Sequence, residues 1–147
     1  MFVPIVLAAN AFLSAFAGTW SCTPHVPGVI AAPATTWTIG AVPKSSWARV
    51  TWSARGANGT AFVGYLPLQK QWIYDDYHSD GSTANYTAPA PVNNLWVWSG
   101  SYTTSARIVH GAAAWQRDKN GFRQGFGRLV GPSFRESAYA ICRPARR

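Results

Sequence analysis

The chain has 147 residues, of which 12% are charged and 14% are aromatic, including eight tryptophans. This composition excludes an intrinsically disordered chain and disfavours a helical one, since both are richer in charged residues. The formal net charge is +8, and nine of the thirteen basic residues lie between Arg107 and Arg147. A basic surface of this kind attracts phosphates, anionic lipid or acidic polysaccharide, although the simpler interpretation is a solvated, arginine-rich surface.

The first element is an uncharged apolar segment, residues 1–17, which ends in Ala15-Phe16-Ala17. Small residues at the −3 and −1 positions suit signal peptidase, so we predict a signal peptide that is cleaved before Gly18. A membrane anchor and a buried N-terminal segment are the alternatives, but spanning a bilayer takes about 20 apolar residues and this run is shorter. The predicted mature protein, residues 18–147, has the length of a single domain and is expected to be secreted or periplasmic.

Short strand-like runs fill the rest of the chain. They are rich in Trp, Tyr, Val, Ile and Thr, and turn residues such as those at Asp80-Gly81 and Asn120-Gly121 separate them. About eight to ten strands with hairpin-length connections predict an all-β barrel or sandwich. The runs cover residues 18–23, 35–41, 46–54, 60–67, 71–78, 83–87, 95–103, 106–117, 121–129 and 136–143.

The two cysteines, Cys22 and Cys142, lie on the first and last of these runs. In an exported chain we expect them to form a disulfide, whereas free buried thiols are the alternative if the chain is not exported. A bond between the first and last strands makes them neighbours and leaves no exposed edge. We therefore predict a closed antiparallel up-and-down β-barrel over residues 18–147, with a two-sheet sandwich as the alternative.

The first predicted strand opens with Gly18-Thr19-Trp20, which resembles the glycine-x-tryptophan opening of lipocalin-like (calycin) barrels. In that family the first-strand tryptophan closes one end of the barrel, and a basic residue of the last strand packs over it. The resemblance implies a lipocalin-like barrel in which Trp20 and Arg143 take these two roles. A cation over an indole ring stabilises a fold by about 0.5–2 kcal/mol.

Tryptophans recur on successive predicted strands. An indole offers a large apolar surface and one N–H donor, which suits a pocket for a hydrophobic or aromatic small molecule. A basic rim from the C-terminal strands would favour an anionic group on that ligand. The alternative is that the rings simply fill a narrow barrel. We predict these ligand-binding residues: Trp37, Trp52, Trp72, Tyr74, Trp96 and Trp98.

An acidic cluster lies at residues 74–81. Asp76 and His78 share one face of the predicted strand 71–78, and Asp80-Gly81 forms the turn that follows it. Asp76 and His78 suit the acid/base pair of a small enzyme, and together with Asp80 they suit a divalent metal. Solvated or arginine-paired carboxylates are the plainer interpretation, and we expect no metal and no catalytic residue.

Other functional classes have weaker support. His25 and His110 are isolated candidates for a haem ligand, but a lone histidine is more often an ordinary polar residue, so we expect no cofactor. The basic and aromatic stretch 107–128 has the residue types of a single-strand nucleic-acid site, yet predicted export argues against nucleic acid. A structural interpretation also stays open, in which a barrel without a pocket docks onto an anionic envelope surface through its basic C-terminal strands.

Overall fold

The structure, a computed structural model, describes residues 11–146. Ten antiparallel strands form a closed barrel in which each strand pairs with its neighbours in sequence and β1 pairs with β10. The predicted all-β closed up-and-down barrel is therefore confirmed, and it is compatible with a lipocalin-like fold. The strands are β1 (Gly18–His25), β2 (Thr35–Ala41), β3 (Ala48–Ala54), β4 (Ala57–Leu66), β5 (Gln71–His78), β6 (Thr83–Ala88), β7 (Leu95–Thr103), β8 (Ile108–Arg117), β9 (Phe122–Val130) and β10 (Ser133–Pro144).

The predicted disulfide joins Cys22 to Cys142. The two residues lie opposite each other in the β1–β10 register, and both are fully buried. The bond therefore crosses the seam where the two ends of the sheet meet and the barrel closes. Disulfides persist in oxidising compartments, which agrees with the expectation of a protein outside the cytosol.

The hairpin between β3 and β4 corrects one predicted boundary. Ala54 pairs with Ala57, so the turn consists of Arg55 and Gly56, and Gly56 adopts a φ of 78°. This left-handed conformation favours glycine, which is why the turn forms there. Residues 57–59, which were predicted to be turn, are instead the start of β4.

A short helix, α1 (residues 11–16), comes before β1 in the sequence. It lies inside the barrel at the end where β1 begins, and we call this end the helix end. Phe12 and Phe16 are both 0% exposed and belong to the core. Part of the predicted signal peptide is thus buried in the full chain, and the rest of it, residues 1–10, lies outside the described residues. Within residues 11–146, no helix is long and apolar enough to span a bilayer.

Strand β5 shows how the interior is built along the barrel axis. Trp72, Tyr74 and Asp76 are buried and His78 is half-buried, as expected for alternate residues of a strand with one inward face. Because β5 begins at the helix end, these side chains run in order from that end toward the opposite one, called here the far end. The part of this row near the helix end is aromatic, and the part near the far end, Asp76 and His78, is polar.

Candidate functional site

A cavity of about 380 Å³ lies inside the barrel toward the far end. Its volume is within the range of small-molecule pockets, which is about 300–1,000 Å³. Small residues on β8, including Gly111 and Ala112, leave room for it, while aromatic rings form much of its wall. The aromatic lining comprises Trp37, Tyr74, Tyr86, Trp98, Tyr102, Trp115 and Phe126.

The six residues predicted to bind ligand fall into three groups. Trp37, Tyr74 and Trp98 line the cavity. Trp52 lies next to it and bonds to Asp76 in its wall. The remaining two, Trp72 and Trp96, are buried deeper, where both pack against Phe12.

Asp76 brings a carboxylate into this aromatic wall. Its side chain is almost buried, at 6% exposure, and the indole N–H of Trp52 donates to both carboxylate oxygens at 3.1 Å. Among the described residues that line the cavity, none is a lysine or arginine. The fixed charge at the wall is therefore acidic, and the basic residues of the C-terminal strands do not line the cavity.

His78 lies beside Asp76 in the cavity wall, on the side of the far end. Its Nδ1 lies 3.0 Å from the Oγ of Ser82, and that hydroxyl donates its proton to Asp80 at 2.5 Å. Ser82 also accepts a hydrogen bond from Tyr102 at 2.9 Å. Since the serine proton is already used, Nδ1 of His78 must be the donor to Ser82.

This network fixes the orientation of the imidazole ring. Its other nitrogen, Nε2, lies 3.1 Å from Oδ2 of Asp76, an ion-pair distance, and makes no hydrogen bond among the described residues. The Asp76 carboxylate and the His78 imidazole therefore form an adjacent polar pair at the cavity wall.

The wall also has one buried donor without a partner among the described residues, Nε1 of Trp98. A buried N–H that makes no hydrogen bond destabilises a fold by about 1–3 kcal/mol. Trp98 is 2% exposed and its ring lines the cavity. An acceptor on a bound molecule would satisfy it.

A buried phenol, Tyr74, and a half-buried one, Tyr86, complete the polar surroundings of Asp76. Burial, and next the negative charge of Asp76, hold the pKa of Tyr74 well above its ordinary value of 10.0. The same two causes, in the same order, raise the pKa of Tyr86. Both phenols are therefore neutral donors at physiological pH.

A three-ligand metal site finds no matching geometry in residues 11–146. No three His, Cys, Asp or Glu side chains are grouped there as metal ligands. Asp80 instead accepts hydrogen bonds from Ser82, which lower its pKa. His25 stacks on Tyr139 at 4.7 Å and His110 is exposed on β8, so neither lines the cavity.

At the helix end, Trp20 is 5% exposed, and its N–H donates to the Phe16 carbonyl at 2.8 Å. The cation over its ring is Arg117, with Cζ 5.5 Å from the centroid, and not Arg143. Arg143 bonds to Asp118 at 2.9 Å. The reason is strand alternation, because Cys142 faces inward and its neighbour Arg143 must face outward.

Sequence reasoning missed four aromatic residues of the cavity, Tyr86, Tyr102, Trp115 and Phe126. Trp115 could have been predicted, because it is a tryptophan on the predicted strand 106–117. It shares a strand face with Ala113, two residues away, and both line the cavity. The tyrosines are joined to the acidic cluster only by pairing between strands, which no local pattern reveals. No protein-family model matches the chain, and no curated protein is significantly similar to it.

Proposed function

We propose that this protein is an exported binding protein for a hydrophobic or aromatic small molecule. The observation that carries the proposal is the aromatic-lined cavity of about 380 Å³ with Asp76 and His78 in its wall. Ligand pockets are mostly apolar and contain a few convergent polar groups that fix the orientation of the ligand, and this cavity has that composition.

The polar groups of the wall favour a ligand with a positively charged or neutral donor group. Oδ2 of Asp76 and Nε2 of His78 lie 3.1 Å apart in the wall, and an ammonium group of a ligand that reaches this point would donate to the Asp76 carboxylate. Aromatic rings such as Trp37 and Tyr86 add attraction for a cation through their π faces. An anionic ligand, as expected from the net charge, would meet the Asp76 carboxylate without a lysine or arginine in the described lining.

Isothermal titration calorimetry with two naphthyl compounds tests this proposal. 2-(1-Naphthyl)ethylamine and 1-naphthylacetate share their aromatic body and differ in the sign of their charge. We expect saturable binding of the amine with a 1:1 stoichiometry, and weaker binding of the acetate. Absence of saturable binding for both compounds would contradict a ligand cavity of this class.

Membership of the lipocalin-like group and export form part of the same proposal. The Gly18-x-Trp20 opening and the burial of Trp20 at one end of the barrel support the family, whereas the cation over its ring comes from Arg117 on β8 and not from the last strand. The disulfide and the predicted cleavage before Gly18 support export. Mass spectrometry of protein recovered from an oxidising export compartment tests the second part, since it gives the N-terminal residue and the oxidation state together.

An enzyme with Asp76 and His78 as an acid/base pair is the second candidate. The proximity of the two side chains at a cavity wall favours it. However, His78 Nδ1 is engaged by Ser82, so only Nε2 is available to move a proton. A screen against small ester and amide substrates tests it, and any activity must depend on pH and be lost in His78→Gln while the melting temperature stays unchanged.

A docking role on an anionic envelope surface is the third candidate. Arg128 and Arg135 lie directly opposite each other on β9 and β10, and both are exposed. Among the described residues neither forms a salt bridge, and like charges at this distance repel unless an anion lies between them. Sedimentation with anionic vesicles tests the role, and we expect the bound fraction to fall with salt and in Arg128→Gln/Arg135→Gln.

A further inference from the structure

The helix end of the barrel interior is filled by two rings that belong to α1 rather than to a strand. Phe12 packs against four indoles, with ring centroids 6.1 Å from Trp72, 5.5 Å from Trp96, 6.4 Å from Trp98 and 6.0 Å from Trp115. Phe16 packs against Trp96, Trp115 and Phe122 at 5.9, 5.4 and 5.2 Å. Every one of these wall residues lies within 18–147.

Few polar contacts attach this segment to the barrel. The Phe16 carbonyl accepts from Trp20, and the Ala17 N–H bonds to Leu13 within the segment itself. The other contacts of the segment within residues 11–146 are apolar and aromatic, as they would be for a small aromatic guest in a pocket. Phe12 and Phe16 therefore occupy the helix end in the manner of a ligand.

The segment also contains the predicted cleavage site, after Ala17. Cleavage there removes both rings from the chain, and the strands and the disulfide lie C-terminal to the cut. If the surrounding indoles keep their positions, the vacated space is lined by apolar side chains. An apolar cavity of about 150 Å³, roughly what one large deleted side chain leaves, stays dry and binds benzene.

We propose that the space held by Phe12 and Phe16 is a second, apolar binding compartment, which the full chain fills itself and which cleavage before Gly18 opens to an aryl or alkyl group. Trp98 and Trp115 line the cavity described above and also contact Phe12. The compartment and the cavity therefore share these two walls. Trp72 and Trp96, predicted from the sequence to bind ligand, become its lining.

A ligand that fills both the compartment and the cavity must match both linings, which defines its chemical class. This step rests on the function proposed above. Strand β5 presents Trp72 to the compartment, and then Tyr74, Asp76 and His78 to the cavity. A molecule that fills both spaces is elongated, with an apolar body among the indoles at the helix end and a donor group near Asp76. The compartment alone takes a neutral hydrocarbon ring, whatever the cavity binds.

The test uses the full chain labelled with fluorotryptophan and observed by ¹⁹F NMR, with benzene as the probe. Phe12→Ala/Phe16→Ala opens the compartment without truncation, and Leu13→Ala on the same helix is the matched control, because Leu13 is only partly buried. We expect benzene to shift the Trp72 and Trp96 signals saturably in the double variant. The same signals should not move in the wild-type full chain or in the control.

Two results would overturn the proposal. One is a folded double variant in which saturating benzene leaves Trp72 and Trp96 unmoved. The other is exported protein that keeps residues 1–17, because the compartment then never opens. If the double variant does not fold, Phe12→Ala alone and the protein recovered after export and cleaved before Gly18 take its place with the same readout. Benzene binding does not depend on Asp76, so failure of the amine titration leaves this result intact.

Discussion

The indole N–H of Trp52 on β3 lies 3.1 Å from both carboxylate oxygens of Asp76 on β5. These strands are not adjacent, since β4 lies between them. The bond therefore spans the inside of the barrel wall and holds a buried acid beside a ligand-sized cavity. A buried carboxylate requires such a partner, because its desolvation is otherwise strongly unfavourable.

Loss of this bond has a measurable effect on stability. In Trp52→Phe the aromatic body stays and the donor is removed, and hydrogen bonds to charged groups contribute about 1.5–3 kcal/mol. We expect the free energy of unfolding in urea to fall by about that amount. Trp47→Phe is the control, because the Trp47 indole makes no hydrogen bond among the described residues and should cost less. Equal losses in the two variants would show that Trp52 contributes only packing.

The glycine that makes room for Trp52 provides a second test. A Cβ built at Gly59 lies 2.5 Å from the Trp52 ring, so Gly59→Ala must displace the indole from its position near Asp76. Overpacking of this kind destabilises by about 1–3 kcal/mol. Gly40→Ala on β2 is the control, since a Cβ there meets nothing within 4 Å. We expect only the first substitution to lower the urea midpoint, and a neutral Gly59→Ala would contradict the close approach of the ring.

The sequence predicted the closure of the barrel and the faces of strand 71–78, but not where side chains lie along the barrel axis. The cysteines on the first and last runs were enough to predict closure, and alternation on 71–78 placed Trp72, Tyr74, Asp76 and His78 on one face. Position along the barrel axis was not predictable. Trp96 and Trp98 share a face, yet only Trp98 reaches the cavity, because α1 fills the space beside Trp96.

One further error is local in origin. The resemblance alone assigns Arg143 to Trp20, although its place next to inward-facing Cys142 directs it outward. Cleavage before Gly18 stays a prediction. The packing of Phe12 and Phe16 inside the full chain was not predictable, since an apolar run next to a cleavage motif has no periodicity that distinguishes a core helix from a signal peptide.

The disulfide should account for much of the stability of the barrel. It joins residues 120 apart in sequence and closes the seam between β1 and β10. Removing a native disulfide typically lowers the free energy of unfolding by about 2–5 kcal/mol. We expect Cys22→Ala/Cys142→Ala to show this loss in urea, and wild-type protein in reducing agent to match it. A double variant as stable as the oxidised protein would mean that strand pairing alone holds the seam.

Tyr74 predicts the alkaline limit of stability. Its pKa is raised in the folded state, chiefly by burial, above the ordinary value of 10.0 that the unfolded chain retains. Its contribution to stability is therefore complete below pH 10.0 and is lost progressively as the pH rises above that value. We expect the unfolding free energy to fall more steeply above pH 10 in wild type than in Tyr74→Phe. Tyr77→Phe, at a residue that is 55% exposed, should behave as wild type. Ionisation of folded Tyr74 near pH 10 in a spectrophotometric titration would contradict this assignment.

The charge preference of the cavity tests the central claim most directly. Calorimetric titration with 2-(1-naphthyl)ethylamine and 1-naphthylacetate should be compared in wild type, Asp76→Asn and Asp75→Asn. Asp75 is the matched control, because it is the next residue of β5, faces outward and bonds to Asn85. We predict that wild type and Asp75→Asn bind the amine at least about tenfold more tightly than the acetate, a difference of about 1.4 kcal/mol, and that Asp76→Asn loses this preference. A preference for the amine that survives in Asp76→Asn, or a preference for the acetate in wild type, would contradict a cavity whose ligand is oriented by Asp76.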